Sequence, residues 1–337
     1  MTTTDATAVQ ASRPAPATPR RGLHAWPLRQ SVVPILLAVE VVSFSLLSKQ
    51  FLTLSNIDNV LLNSVDLALI AGGLTLVILL GGIDVSTGQA LGVIAWCVGR
   101  LTLAGWTPVL VIVAAAVLGA LMGTVNGIII SRLQVTAIIA TLGTAGIWST
   151  VLFALWGGSD LFAPPVTTYA SIQHTLGVPT VAFFVLAAFA VLWFVSRYRA
   201  YGRHVYAIGN DAEGARLSGI HVVRTGIVTY AIVGLMVGLA AVVFMARVGV
   251  IQASSGGSLS LAAIAAVVVG GTSITGGRGS LIGTLWGVLF IAVLQNGVVL
   301  AGVPPLWNGV LVGAFIVIAV AVDVTTDRIA AARRGGR

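Results

Sequence analysis

Gly81-Gly82-Ile83-Asp84-Val85-Ser86 and Gly270-Gly271-Thr272-Ser273-Ile274-Thr275-Gly276-Gly277 each end a long apolar run and are followed at once by another. Backbone that turns between two hydrophobic helices has few residues available to it. Glycine permits positive φ angles and close approach, while Ser, Thr and Asp cap the freed amides. Two such turns, in a chain that is 57% hydrophobic and holds 40 glycines, imply helices broken around a pathway. The pattern is that of a membrane transport protein.

Only 8% of the 337 residues are charged and the mean hydropathy is +1.03. An ordinary soluble domain, with about 25% charged residues, is excluded. The net charge of +8 and the pI near 10.8 would suit a nucleic-acid partner. The basic residues, however, fall in short inter-helix segments and tails, where membrane orientation accounts for them, so no nucleic acid is expected. Cys97, the single cysteine, lies inside an apolar run, which leaves no intramolecular disulfide and no Cys-based metal site.

Residues 1–29, rich in Thr, Ala, Pro and Arg, are expected to form a disordered cytoplasmic tail. Basic residues ahead of the apolar stretch Val32–Leu47 also fit a signal peptide. No small-x-small cleavage site follows that stretch and Lys49 comes next, which favours an uncleaved first membrane helix. Residues 30–325 then form the transmembrane domain, and 326–337 a basic cytoplasmic tail.

A bilayer core needs about 20 mostly apolar residues per helix. Candidate helices lie near 32–48, 57–80, 87–104, 107–130, 135–156, 179–196, 225–247, 261–271, 280–300 and 303–323. The fold expected is an all-α polytopic helical bundle of about ten transmembrane helices, with eight or nine also compatible. The eighth candidate is short and glycine-ended: a half-helix, or one that continues beyond its turn. With ten crossings and both termini cytoplasmic, 15 of the 18 basic residues fall inside and only Lys49, Arg100 and Arg247 outside, as the positive-inside bias requires. The segment 197–224 is then the largest inner loop, while 157–178 and 248–260 face outward.

Close-spaced glycines (Gly119/Gly123/Gly127, Gly234/Gly238, Gly283/Gly287, Gly309/Gly313) are expected to let helix backbones pack rather than to touch substrate. Val77–Gly82 resembles Val267–Gly271, and Asn126-Gly127 resembles Asn296-Gly297. This echo fits either an internal duplication, common in transporters, or chance in such a composition.

No catalytic constellation is present. The four histidines lack metal-ligand spacing and no metal site is expected. The chain's one lysine, Lys49, is in no phosphate-binding glycine loop, so this subunit needs an ATPase partner or an ion gradient to drive transport. Among the acids in or near apolar runs, Glu40 and Asp323 are assigned structural roles, and Asp66, with Asn63 and Ser64 close by, is open to either reading. No buried lysine or arginine is evident as a partner for them. Asp84, Asn126, Thr141, Ser273, Gln295 and Asn296 are the residues expected to line or border the passage, because neutral solutes need hydrogen-bond partners. Plain helix–helix hydrogen bonding is the competing explanation.

The inner loop carries Ala207-Ile208-Gly209-Asn210-Asp211-Ala212-Glu213-Gly214-Ala215-Arg216-Leu217-Ser218-Gly219-Ile220. Asn210 or Asp211 suits an N-cap, Glu213 the first turn and Gly219 the end of a two-turn helix across the cytoplasmic face. Gly209, Asn210, Asp211, Glu213, Gly214, Ala215, Leu217 and Gly219 are its expected docking residues for a cytoplasmic partner.

Over roughly residues 50–325 the chain resembles the permease subunits of ATP-binding cassette importers of the ribose type. The resemblance is carried by Thr75-Leu76-Val77-Ile78, Gly81–Gly88, Asn126-Gly127, Thr141-Leu142-Gly143-Thr144 and Arg216–Ile220, then by Ala263–Val267, Gly270–Ser273, Gly276–Gly279, Gly283-Thr284 and Asn296-Gly297, in order. It implies import of a neutral monosaccharide by alternating access, with the loop above as the helix that seats in the ATPase. It implies a second permease copy or paralogue, an extracytoplasmic sugar-binding protein, and an ATPase subunit, with two fused nucleotide-binding halves, that binds ATP and Mg. The permease itself would hold no cofactor. A furanone signalling molecule, a nucleoside or a polyol fits the same architecture, and a lone ion-coupled carrier is the rival from another class.

Two departures from the relatives' pattern stand out. Their Gly-Gly-Asn before Glu-Ala-Ala is here Gly209, Asn210, Asp211 before Glu213-Gly214-Ala215. Glycine at 214 costs roughly 1 kcal/mol of local helix against alanine, so fraying is expected when undocked. Two acids before Ala-Ile-Ala-Ala are replaced by Ser260 and Ala262, expected to alter the outer surface near solute delivery.

Overall fold

The computed structural model describes residues 26–162, 174–175 and 178–335. Twelve α-helices run through them: α1 Trp26–Leu47, α2 Leu54–Leu79, α3 Thr87–Leu103, α4 Pro108–Ser131, α5 Ala137–Trp156, α6 Thr180–Tyr198, α7 Ala200–Asn210, α8 Ala212–Leu217, α9 Val222–Val248, α10 Leu259–Val269, α11 Leu281–Leu300 and α12 Asn308–Gly335. Each of the ten expected segments is a helix, and the inner loop adds α7 and α8. By length and composition α2, α4, α5, α6, α9 and α11 can each cross a bilayer.

Two boundaries differ from expectation. The expected N-terminal tail lies outside the described residues up to residue 25, and α1 takes in its last part from Trp26. The C-terminal segment 326–337 is helical as far as Gly335, because Ile329-Ala330-Ala331-Ala332-Arg333-Arg334 is built of residues most of which favour helix over coil.

The bundle is organised around α2, most of whose apolar stretch is buried. Against it pack α9, α10, α11 and α6. The α4–α9 pair is closest: a Cβ on Gly123 would meet the Tyr230 carbonyl, and one on Gly119 the Gly234 carbonyl. This is the close backbone approach that small residues allow. Gly283 and Gly287 do the same for α11 against Gly270 and Ala266 of α10, whereas Gly309 and Gly313 on α12 face open space. The packing expectation therefore holds within the subunit for all the glycine pairs but the last. The outer sides of α4, α5 and α6 leave Val113, Leu142 and Val191 exposed, as helices facing hydrocarbon do.

Short strands join the two segments assigned to the outer side. Leu161–Phe162 pairs antiparallel with Val250–Ile251, and Gln252 Nε2 donates to Asp160 Oδ2 at 2.9 Å. His174–Thr175 pairs with Val178–Pro179, and His174 Nε2 lies 3.1 Å from Asp58 near the start of α2.

The repeated glycine turn is a repeated backbone structure. After α2, the Gly81 and Gly82 amides donate to Ile78 and Val77, and after α10 the Gly271 and Thr272 amides donate to Val268 and Val267. Gly81 has φ 89° and Gly271 φ 88°, a left-handed conformation that glycine adopts without Cβ strain. The Asn-Gly echo has no such parallel, since Asn126 contacts Asp84 and Ser86 while Asn296 contacts Asn56.

Candidate functional site

The two glycine turns come together at one end of the bundle, and α7 ends against both. The Gly277 amide donates to the Leu79 carbonyl at 2.8 Å, joining the second turn to the end of α2. Gly209, next to last in α7, packs on that joint: a Cβ there would meet the Leu79 carbonyl oxygen and the Gly277 nitrogen. Tyr206 donates to the Gly279 carbonyl at 2.9 Å, and the Asn210 amide reaches the Gly277 carbonyl at 3.3 Å. Tyr206 and Asn210 are four residues apart, so one face of α7 grips the turn. Burial pushes the Tyr206 phenol up from its ordinary value, which keeps it a donor.

From this grip the chain passes directly into α8. Asp211, extended at φ −160°, caps it, its Oδ1 accepting from the Glu213 amide at 3.1 Å and the Gly214 amide at 3.0 Å. Gly219 at φ 83° ends it. Arg216 Nε donates to Glu213 Oε2 at 2.9 Å, which holds the Glu213 carboxyl below its usual range. The exposed side of α8 presents Glu213, Arg216 and Leu217, the last 75% exposed although apolar.

The expected two-turn helix is α8, while the stretch quoted with it begins in α7. Gly209 and Asn210 end α7 and face the bundle, while Asp211, Glu213, Gly214, Ala215, Leu217 and Gly219 form the capped helix and its stop. Ala215 faces inward and is buried. Gly214 has a local reason: a Cβ there would press on the Asp211 carboxylate that caps the helix. Its lost helix propensity is offset by the cap. Gly219 needs its positive φ but has open space around it, so no collision within the subunit constrains that position.

Beyond the first turn, Gly82–Ser86 runs without regular structure to the start of α3. Buried backbone outside a helix must find other partners. Here Ser86 N and Oγ donate to Asp84 Oδ1 at 2.9 and 2.6 Å, and Asn126 Nδ2 donates to Ser86 Oγ at 2.8 Å and Asp84 Oδ2 at 3.3 Å. Thr141 Oγ1 accepts from the Val85 amide at 3.3 Å and donates to the Ile83 carbonyl at 3.2 Å. Asp84, Ser86, Asn126 and Thr141 are all buried. Next to them, Asn126 Oδ1 and Trp148 Nε1, an acceptor and a donor with no protein partner, line a cavity of about 10 Å³ between α3, α4, α5 and α9. That volume matches one water molecule. Asn126→Leu is expected to lower stability by about 1–3 kcal/mol, since it strips two hydrogen bonds from a buried acid and hydroxyl; denaturant titration in detergent measures it.

Ser273, Gln295 and Asn296 do not join this cluster. Ser273 closes its own turn, its amide donating to the Arg278 carbonyl at 2.8 Å. Asn296 and Asn56 exchange side-chain hydrogen bonds at 2.9 and 3.0 Å, near the start of α2. Asn56 and the first turn are separated by about 35 Å of helix. Gln295, beside Asn296 on α11, is half-buried.

Residues 56–320 match the family described as branched-chain amino acid transport system / permease component. The chain belongs to this family. It is 35% identical to the ribose import permease protein of Escherichia coli (strain K12) over 310 residues, 89% of this chain and 94% of the relative. It is 33% identical to the fructose import permease protein of Rhizobium meliloti over 324 residues, 92% and 88% of the two chains. It is 34% identical to the autoinducer 2 import system permease protein of Escherichia coli (strain K12 / DH10B) over 278 residues, 82% and 81% of the two chains. No solved structure matches it. The protein is a permease component, a multi-pass protein of the bacterial inner membrane.

Two expectations about this permease are corrected by its structure. Asp66 does have a basic partner: Arg247 of α9 donates to Asp66 Oδ2 at 2.7 Å and to Asn63 Oδ1 at 2.6 Å. Sequence placed Arg247 at an outer helix end and gave no sign that α9 turns it towards α2. Ser260 and Ala262, where relatives carry acids, are buried in the first turns of α10 and are not on the outer surface. Ser260 Oγ accepts from the Gly88 amide at 2.7 Å, satisfying a free amide at the start of α3. Tyr206 and Trp148 were also missed; for Tyr206 the available signal was its position one helical turn before Asn210.

Proposed function

We propose that this permease is the translocation subunit of an ATP-binding cassette importer for a neutral monosaccharide. It works beside a second permease copy or paralogue, receives its solute from an extracytoplasmic sugar-binding protein, and is driven by an ATPase subunit with two fused nucleotide-binding halves. ATP and Mg belong to that ATPase; the permease holds no cofactor and no hydrolytic site of its own. The observation that carries the reading is the continuous connection from exposed α8, through α7, to both glycine turns. Closure of the ATPase moves α8, α7 passes the displacement to the Leu79–Gly277 joint, and Gly82–Ser86 carries it to the start of α3. The relatives named for ribose and fructose import support the monosaccharide. The relative named for autoinducer 2 supports a furanone as the second reading of the same architecture.

Ala215→Pro tests the coupling half. It removes the Ala215 amide bond to the Asp211 carbonyl, 3.0 Å, and breaks α8 at about 3 kcal/mol. In proteoliposomes with its ATPase and binding protein, the wild type is expected to accumulate labelled ribose or fructose with ATP and irrespective of a protonophore. The proline variant is expected to insert normally yet lose uptake and co-purification with the ATPase. Uptake abolished by the protonophore at constant ATP would identify an ion-coupled carrier instead. Wild-type behaviour of the proline variant would reduce α8 to a connector.

A further inference from the structure

We infer that the permease carries a binding site for the phosphate headgroup of an anionic phospholipid of the inner leaflet, beside α8. A groove of about 820 Å³ lies between the end of α4 and the α8–α9 connection. Its rim carries Arg132, just past α4, and Arg224, in the first turn of α9, with Arg216 and Gly219 on the α8 side. Its walls are apolar, built from Val223, Ile227 and Val228 of α9.

Charge complementarity selects an anion. Arg216 is engaged with Glu213, but Arg132 and Arg224 are exposed and make no ion pair among the described residues. A guanidinium fork matches phosphate oxygens in pairs. Apolar walls select a lipid over a soluble anion, because Val223 and Val228 are 42% and 39% exposed and α9 is long and apolar enough to cross the bilayer. Both arginines stand at the ends of such helices, on the side that the positive-inside bias assigns to the cytoplasm, where anionic headgroups are held by basic side chains. The headgroup phosphate sits between Arg132 and Arg224, and an acyl chain lies along Val223, Ile227 and Val228. Since Arg216 and Gly219 share the groove, a lipid there also touches the helix proposed to meet the ATPase. The site itself does not depend on which solute is carried.

The test is lipid retention by the full-length permease. Delipidated protein in detergent is titrated with phosphatidylglycerol or phosphatidylcholine, and bound lipid is counted by native mass spectrometry. Phosphatidylglycerol is expected to bind preferentially, and R132Q/R224Q to weaken it by about thirtyfold, at roughly fivefold per arginine. Phosphatidylcholine binding is expected to be unchanged, R132K/R224K to retain most of the preference, and Arg203→Gln, on α7, to leave the preference intact as a control that removes one charge outside the groove. Equal binding of the two lipids, or an unchanged preference in R132Q/R224Q, would overturn the site. Displacement by millimolar inorganic phosphate would instead make it a site for free anions, also against the proposal. So would loss of ATPase co-purification in R132Q/R224Q with phosphatidylglycerol retention intact, which would assign the groove to an acidic protein surface.

Discussion

Gly209→Val is expected to lower solute uptake by roughly a hundredfold in a protein that still inserts. The position lies over the hydrogen bond between the Gly277 amide and the Leu79 carbonyl, and a Cβ there would meet both of those atoms. Both are backbone, so no rotamer change relieves the contact. Either α7 lifts away, losing the Tyr206 and Asn210 bonds to the second turn, or the joint itself opens. Overpacking of one to three kcal/mol, with about one more for a lost hydrogen bond, comes to about 3 kcal/mol, or two decades in an equilibrium. Gly209→Ala should show a smaller loss in the same direction. ATP-driven uptake in proteoliposomes, alongside co-purification with the ATPase, is the measurement. If the valine variant binds the ATPase yet transports normally, force reaches the membrane helices by another route and the proposed relay is wrong.

The relay shows where sequence reading succeeds and where it stops. Gly81 and Gly271 were legible because the left-handed conformation they adopt is a local requirement that few other residues meet. Asp211 and Gly219 were legible for the same reason, since a cap and a stop are properties of a few neighbouring residues. That α7 is a helix of its own was not. Ala200–Asn210 contains Gly202 and Gly209, both poor helix formers, and only their close seats on Ser196 and Leu79 explain their presence. Contacts of this kind join residues far apart in the chain and leave no periodic trace.

The polar residues divide on the same line. Burial of Asn126 and Thr141 followed from their place in apolar runs and that of Asp84 from its turn between two such runs, and their convergence on Gly82–Ser86 follows from the need of non-helical backbone for partners. The pairing of Asn296 with Asn56 depends on the register of α11 against α2, which composition does not encode. Ser260 makes the point most sharply. From its loop-flanking position it belonged to the outer surface, yet the turns at 253–258 lead α10 back against α3, and its hydroxyl ends on the Gly88 amide.

Arg247→Leu is expected to destabilise the protein by about 3–5 kcal/mol, more than either a cap or a core methyl would, because it leaves a buried acid without its counter-charge. Asp66 is wholly buried, and its two carboxylate oxygens are taken by Arg247 at 2.7 Å and by the Leu67 amide at 3.0 Å. The Arg247 side chain is 22% exposed and also lies over the Phe244 ring. That difference in burial makes the two single variants unequal. Asp66→Leu leaves an arginine that can turn towards water, so its loss should be smaller than that of Arg247→Leu. The double variant Asp66→Leu/Arg247→Leu should recover most of the loss, since a buried ion pair replaced by apolar side chains is often close to neutral. Unfolding free energies of the four proteins in one detergent close the cycle. If Arg247→Leu lies within about 1 kcal/mol of the wild type, Asp66 has another means of holding or shedding its charge. If the double variant loses as much as the two single variants added together, Asp66 and Arg247 act separately, and α2 and α9 are held together by their apolar contact alone.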